Sequence, residues 1–373
     1  MLLQQSPFTE RRPVSRLQLF AFILAAIPMV SAGIAAAETA TPPAAADPAV
    51  EAMKPCESGD AEARAVACTQ LITGGTLRGK ALGAAYVFRG KAQAQRNEMK
   101  AAISDFSEAL KLDPRATDAL YNRGAAYALI GQTNYALADF AHVLELAPSD
   151  SDTLFYRALI YVNQGKIEAA VQDLSAVLGQ RPDDGITRLQ RAGLAIMLQR
   201  NEDAIADLNQ ILKKEPTALD ALYNRGRAET LKGDYRAAAD DFAAAMQNRS
   251  SNPYAALRLY ITRAQTGRKD PAVLDAAAKA FPADQWPLPI VAFYQGKVSE
   301  ADLLAMAKVS NAATTANLTA ETRYYLGQWA LLEDDRKAAQ KHFEAAIATK
   351  AGAGSLEFID AGLELKRLGK QKN

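Results

Sequence analysis

Repetition constrains this chain more than any other property. The string DALYNRG ends at Gly124 and returns ending at Gly226, 102 positions later. A period of 34 divides that interval, and cutting the sequence at that length gives the registers 83–116, 117–150, 151–184, 185–218 and 219–252. A fixed period of this size means one supersecondary unit stacked on copies of itself. That organisation overrides the two or three independent domains that 373 residues would otherwise suggest.

The columns of the repeat predict what each unit is. Position 20 is always alanine (Ala102, Ala136, Ala170, Ala204, Ala238), and position 8 is always small (Gly90, Gly124, Ala158, Ala192, Gly226). Two helices approach closely only where their facing side chains are small, so these columns mark a helix crossing inside each unit. Larger apolar residues surround it at position 24 (Phe106, Phe140, Leu174, Leu208, Phe242) and position 27 (Ala109, Val143, Val177, Ile211, Ala245). Glycines at position 15 (Gly131, Gly165, Gly233) mark a turn between the helices. Prolines at position 32 (Pro114, Pro148, Pro182, Pro216), with Ser250 and then Pro253 in the fifth unit, end the second helix.

Each unit is therefore expected to be a helical hairpin, helix A then helix B. A single hairpin buries about four large apolar side chains worth ~1.5–3 kcal/mol each. Ordering its residues costs roughly 1 kcal/mol or more apiece. Only stacking supplies the missing burial, so the expected fold is all-α, a solenoid with helical caps at both ends.

These columns resemble the tetratricopeptide repeat, without a gap or register slip over 83–252. One pair of columns departs from that pattern. Position 7 is Arg89, Arg123, Arg157, Arg191 and Arg225, and position 23 is Asp105, Asp139, Asp173, Asp207 and Asp241. The arginines could form a row of ligand-binding groups, or each could bridge to the aspartate of its own unit. Their joint recurrence points to the bridge. The resemblance further implies that positions 2, 5 and 9 of the A helices face a ligand in a concave groove. Those positions hold Asp118, Asp152 and Asp220; Val87, Tyr121, Phe155, Leu189 and Tyr223; and Lys91, Leu159 and Arg227. Aromatics beside isolated charges suit an extended peptide or a partner's helix. Position 5 carries no Lys or Arg, so a basic clamp on a peptide's terminal carboxylates is not expected.

The ends of the chain carry the remaining signals. Arg11, Arg12 and Arg16 precede the uncharged run Leu17–Ala37, which ends in small residues with Ala35 and Ala37 before Glu38. Residues 1–37 read as a cleavable signal peptide; an uncleaved membrane anchor is the alternative. No cysteine lies near the cut to accept a lipid. Residues 38–50, rich in Ala and Pro, read as a flexible, disordered tether.

The formal net charge is +1, and removing the leader brings it to −1, so nothing draws the chain to nucleic acid or acidic lipid. Cys56 and Cys68 are the only cysteines. Export and an even count at short spacing favour a disulfide that clips 51–82 into an N-terminal helical cap. Two cysteines and two distant histidines do not make a metal site.

Beyond the fifth unit, 253–319 falls outside the 34-residue register. A degenerate sixth unit occupies 320–353, with Leu326 and Gly327 at positions 7 and 8, Ala339 at 20, Phe343 at 24 and Ala346 at 27. Leu326 and His342 replace the Arg and Asp of the bridge together. Residues 354–373 are expected to close the stack as a capping helix. The run WPLPIVAFYQGK from Trp286, with the repeat-like segment after it, resembles the NlpI lipoprotein family across about 286–369. That resemblance implies an envelope adaptor that dimerises and docks cell-wall hydrolases and a processing protease.

Nothing in the inventory argues for catalysis. His142 and His342 stand far apart with no ligand or base at useful spacing, and no phosphate-cradling loop or nucleophile elbow occurs. The expected function is a non-catalytic, cofactor-free scaffold in the periplasm that binds proteins or peptides. The alternatives are a membrane-anchored assembly factor or an accessory subunit of an envelope enzyme.

Overall fold

The computed structural model describes residues 48–248, 253–351 and 355–370. Among them are nineteen α-helices and no strand. The proposed leader and the tether up to Asp47 lie outside the described residues, and 48–50, expected in the tether, are instead the first turn of a helix. The chain divides into two compact units, one ending at Thr187 and the other beginning at Arg188.

The first unit opens with α1 (Pro48–Glu57) and α2 (Ala61–Thr73), whose N-cap Asp60 accepts a hydrogen bond from the Ala63 amide at 2.8 Å. Cys56 and Cys68 are bonded to each other and fully buried. Three hairpins follow: α3 (Gly79–Gln95) with α4 (Met99–Leu112), α5 (Thr117–Leu129) with α6 (Thr133–Leu146), and α7 (Ser151–Asn163) with α8 (Ile167–Gln180). Their B helices bury one face because Ala, Phe or Leu, and Ala or Val recur at helical spacing, as in Ala136, Phe140 and Val143.

The second unit contains α9 (Gly185–Met197), within whose first turn the division falls, and α10 (Asn201–Lys214). The fifth hairpin is α11 (Leu219–Lys232) with α12 (Tyr235–Asn248). Then come α13 (Pro253–Gln265), α14 (Ala272–Ala280), α15 (Leu288–Tyr294), α16 (Glu300–Met306), α17 (Ala312–Leu332), α18 (Arg336–Ala348) and α19 (Leu356–Lys370). Although 253–319 was expected outside the register, α13 begins one period after α11 and packs on α12 as a further A helix. Tyr260 stands at its position 8, where the other units have Gly or Ala, and the helix after it is only nine residues long.

Crossing geometry explains a covariation between two columns. Every unit with Phe at position 24 has Gly at position 8, and every unit with Leu there has Ala. A Cβ built on Gly124 would lie 2.8 Å from the Phe140 ring, on Gly90 2.7 Å from Phe106, and on Gly226 2.9 Å from Phe242. Gly327 and Phe343 repeat the arrangement in the sixth unit. The ring fills the space a methyl would take, so the volume at the crossing is shared between the two positions. The turn column is equally uniform in conformation. Gly131, Gly165 and Gly233 have φ of 77°, 74° and 94°, and Asn97, Gln199 and Asp334 adopt the same left-handed region where glycine is missing.

The arginine column forms two-pronged bridges to the buried aspartates. Nε and Nη2 reach the carboxylate at 2.7 and 2.7 Å in Arg89–Asp105, 2.9 and 2.8 Å in Arg123–Asp139, and 2.8 and 2.8 Å in Arg157–Asp173. Arg191–Asp207 spans 2.8 and 2.7 Å, and Arg225–Asp241 2.8 and 2.6 Å. The remaining nitrogen of two arginines donates back to the preceding repeat: Arg123 Nη1 to Ser107 Oγ at 3.2 Å, Arg225 Nη1 to Asn209 Oδ1 at 2.6 Å. One side chain thus ties helix A to helix B and one hairpin to the next. The hydrogen bond to aspartate keeps each guanidinium pKa above its ordinary value despite partial burial.

The sixth unit changes this device without abandoning it. Arg323, one turn before Leu326, places Nη1 3.1 Å from His342 Nδ1. Unit four shows the intermediate arrangement, where Arg188 at the same position joins Arg191 on Asp207, at 3.0 Å.

Two outcomes follow from this packing. Gly124→Ala should cost about 1–3 kcal/mol in chemical denaturation, as overpacking does, and Phe140→Leu added to it should recover most of the loss by recreating the natural Ala–Leu pair. Asp139→Ala should cost about 2–4 kcal/mol, because it strands a partly buried guanidinium. A double-mutant cycle with Arg123→Ala should show coupling of at least about 1 kcal/mol.

Candidate functional site

In the first unit, most residues expected to face a ligand are engaged by other side chains of the repeats. Lys91 Nζ lies 2.6 Å from Asp118 Oδ2, linking α3 to α5, and Asp118 also accepts from Asn122 at 2.7 Å. Asp152 pairs with Arg181 at 2.8 Å. The Tyr121 ring sits 6.2 Å from Phe140 and 5.8 Å from Tyr156 of the next hairpin, and burial raises its pKa. Val87 and Leu159 are buried in the repeat packing rather than offered to a ligand, which corrects their expected role. Phe155, half-buried and edge-on to Tyr156 at 5.9 Å, and the exposed Asp118 remain on the A-helix face.

The second unit departs further from expectation. Leu189 is half-buried against the core of Ala192, Leu208 and Leu222, and Asp220 is exposed. Arg227, expected in a groove, is only 3% exposed, and its Nη2 and Nε reach Asp360 on α19 at 2.6 and 3.2 Å. Tyr223 is covered too: its hydroxyl accepts from Arg258 Nε at 2.8 Å, and the guanidinium stacks 5.4 Å from its ring centre. Arg258 also donates to Asp360 at 2.7 Å, to Glu357 at 3.3 Å and to the Tyr324 hydroxyl at 3.1 Å. Gln328 donates to Glu364 at 3.1 Å, and Arg367 joins Glu364 at 2.7 Å to the Tyr235 hydroxyl at 2.8 Å.

Helix α19 therefore lies across the A helices α11, α13 and α17 and presents carboxylates at 357, 360 and 364. These are spaced i, i+3 and i+7, one stripe of a helix. Ile359 and Leu363, beside the stripe, pack into the core of α9–α11, while Ala361, Leu365 and Leu368 join the core around Tyr325 and Phe343. The expected capping helix is present, but it covers one face of three A helices, where Tyr223 and Arg227 were expected to meet a ligand, instead of simply ending the stack. Arg258, Glu321 and the acidic stripe were not legible in the sequence, because their contacts join residues from 35 to 133 positions apart, outside the pattern of any one unit. The only signal was the 3–4 spacing of acids on an otherwise apolar segment.

Charges in this cluster set its titration. Burial disfavours a charge on Asp360, but Arg227 and Arg258 outweigh it and hold the pKa below its ordinary value. Burial opposes the charge on Arg227, and Asp360 more than compensates, raising its pKa. Burial pushes the Tyr223 phenol up to about 12. Glu321 is buried beside Glu357, accepts from Trp286 Nε1 at 2.8 Å and from Tyr254, and is driven well above the usual carboxylate range by burial and then by Glu357. The hydrogen bond from the tryptophan of the Trp-Pro run opposes that rise and offsets only part of it.

The histidines do not assemble a reaction centre. His142 is half-buried on α6; His342, on α18, has its pKa lowered by burial. One concavity, lined by Lys232–Arg236 with Thr266, lies at a hairpin turn. Among the described residues, no group of three His, Cys, Asp or Glu side chains could hold a metal ion, and no helix is long and apolar enough to cross a membrane.

Comparison with known families agrees with the hairpin geometry. A family described as TPR repeat matches residues 90–131, and one described as Tetratricopeptide repeat matches 130–185 and 189–253. The hairpins within residues 90–253 match the tetratricopeptide repeat. Similar solved structures include a tetratricopeptide repeat protein from Parabacteroides merdae ATCC 43184, at 17% identity over 76% of this chain and 98% of that one, TM-score 0.47. YrrB, described as a TPR protein with an unusual peptide-binding site, is 20% identical over 51% of this chain and 96% of its own, TM-score 0.46. MamA from Desulfovibrio magneticus RS-1 is 20% identical over 46% and 97%, TM-score 0.43. At such identities the likeness concerns the fold alone. Tetratricopeptide repeats are a protein-interaction architecture, and their partners are proteins or peptides.

Glu321→Gln keeps the acceptor for Trp286 and removes the ionisable group. A raised carboxyl pKa costs the folded state progressively as pH rises above about 4.5, the unfolded value. The variant should therefore melt higher than the parent at pH 8, and the difference should vanish below pH ~4, where both forms are neutral.

Proposed function

We propose that this chain is a non-catalytic scaffold of the bacterial cell envelope, which holds envelope enzymes through the A-helix faces of its repeats. The observation that carries the reading is the docking of α19: the A helices α11, α13 and α17 already hold a helix by side-chain recognition. The uncharged run before Glu38 supports export to the periplasm with removal of residues 1–37. The disulfide between Cys56 and Cys68 fits an oxidising compartment. The resemblance of 286–369 to the NlpI family supports cell-wall hydrolases or a processing protease as partners, and a homodimer as the working form.

Photo-crosslinkers placed at Phe155 and Asp118 in the intact envelope should capture a cell-wall hydrolase or protease, identified by mass spectrometry. The mature chain should begin near Glu38. Turnover of cell-wall material by the purified chain, or crosslinks to lipid alone, would overturn the reading.

A further inference from the structure

The interface between α19 and the repeats has the composition of a recognition surface. Glu357, Asp360 and Glu364 are buried, Glu364 to 1% exposure, and they face Arg227, Arg258 and Gln328. A permanent cap would be at least as stable with apolar residues there, because the desolvation of buried ion pairs cancels much of their attraction. What such pairs supply is discrimination: a helix without carboxylates at this spacing would leave two arginines buried and unpaired. The apolar residues at i+2 and i+6, Ile359 and Leu363, provide contact area beside the stripe.

We propose that the face formed by α11, α13 and α17 is a receptor for an amphipathic helix with carboxylates at i, i+3 and i+7. Helix α19 is its resident occupant, and a partner protein carrying such a helix docks here by displacing it. The inference deepens the scaffold reading and rests on it. A tethered helix acts at an effective concentration on the order of millimolar, so the occupant suppresses weak or mismatched ligands and yields only to a partner with a matched stripe. Arg258 is the centre of the site: it meets two carboxylates of α19 and stacks between Tyr223 and Tyr324 at 5.4 and 5.2 Å.

The test uses the full chain carrying Glu357→Gln, Asp360→Asn and Glu364→Gln, with a fluorescent peptide of the sequence of residues 355–370 as the probe. The peptide should bind this variant at least about tenfold more tightly than the unaltered chain, a difference of about 1.4 kcal/mol. A peptide with the same three neutralisations should not bind, and adding Arg227→Met to the protein should abolish binding. Equal affinity for both chains, equal affinity of both peptides, or no binding to the folded variant overturns the proposal. So does assembly of the variant into dimers that excess peptide leaves intact, which would put a second copy's helix in the site.

Should the variant fail to fold, hydrogen exchange on the unaltered chain decides. Amides of 356–370 exchanging before those of α17 and α18 support displacement, and exchange of all three only through global unfolding overturns it. Envelope crosslinks to a hydrolase or protease alongside a failed peptide test would remove this inference and leave the scaffold reading standing.

Discussion

The close crossing of helix A on helix B, repeated once per hairpin, is the contact on which the rest of this structure depends. It works because the residue pair at the crossing fills a nearly constant volume: glycine against a phenylalanine ring, or alanine against leucine. Close packing makes a single methyl count at such a point, since neither backbone can move without disturbing the stack. The arginine fork acts at the same level. It joins the two helices of a hairpin through a bidentate ion pair and, in Arg123 and Arg225, reaches the hairpin before it. No unit buries enough surface to fold alone, so these contacts within and between hairpins turn repeated sequence into a cooperative fold.

A different kind of interface closes the second unit. The repeats meet one another mainly through small and large apolar side chains, whereas α19 adds to its apolar contacts a buried set of carboxylates, guanidinium groups, phenols and an amide. An interface of this sort is unforgiving of mismatch, because any unmatched group bears its full desolvation cost. That asymmetry makes it selective. It also explains the Trp-Pro segment: Trp286 donates to Glu321, which sits beside Glu357 and whose pKa burial and that neighbour raise, so that segment contributes to the polar core around α19.

Much of the fold was legible in the sequence because its determinants recur every 34 residues. The hairpins, their turns, the alanine and aromatic columns and the pairing of position 7 with position 23 are each read by comparing a unit with its neighbours. Departures from the period were harder to read. Arg323 takes up the role of the missing position-7 arginine from one turn earlier, and no other unit relies on that position alone. The segment 253–319 hid an A helix in register because Tyr260 replaces the small residue that marks the crossing.

Local periodicity, then, determined by itself the helical hairpins, their spacing and their stacking, since each depends on residues within one period of each other. Only the tertiary structure decided which A-helix positions are open. Tyr223 and Arg227 carry the pattern of ligand-facing residues, but a helix more than a hundred residues away occupies that face. Exposure is a property of the whole folded chain, and no column of the repeat contains the coordinates of Asp360.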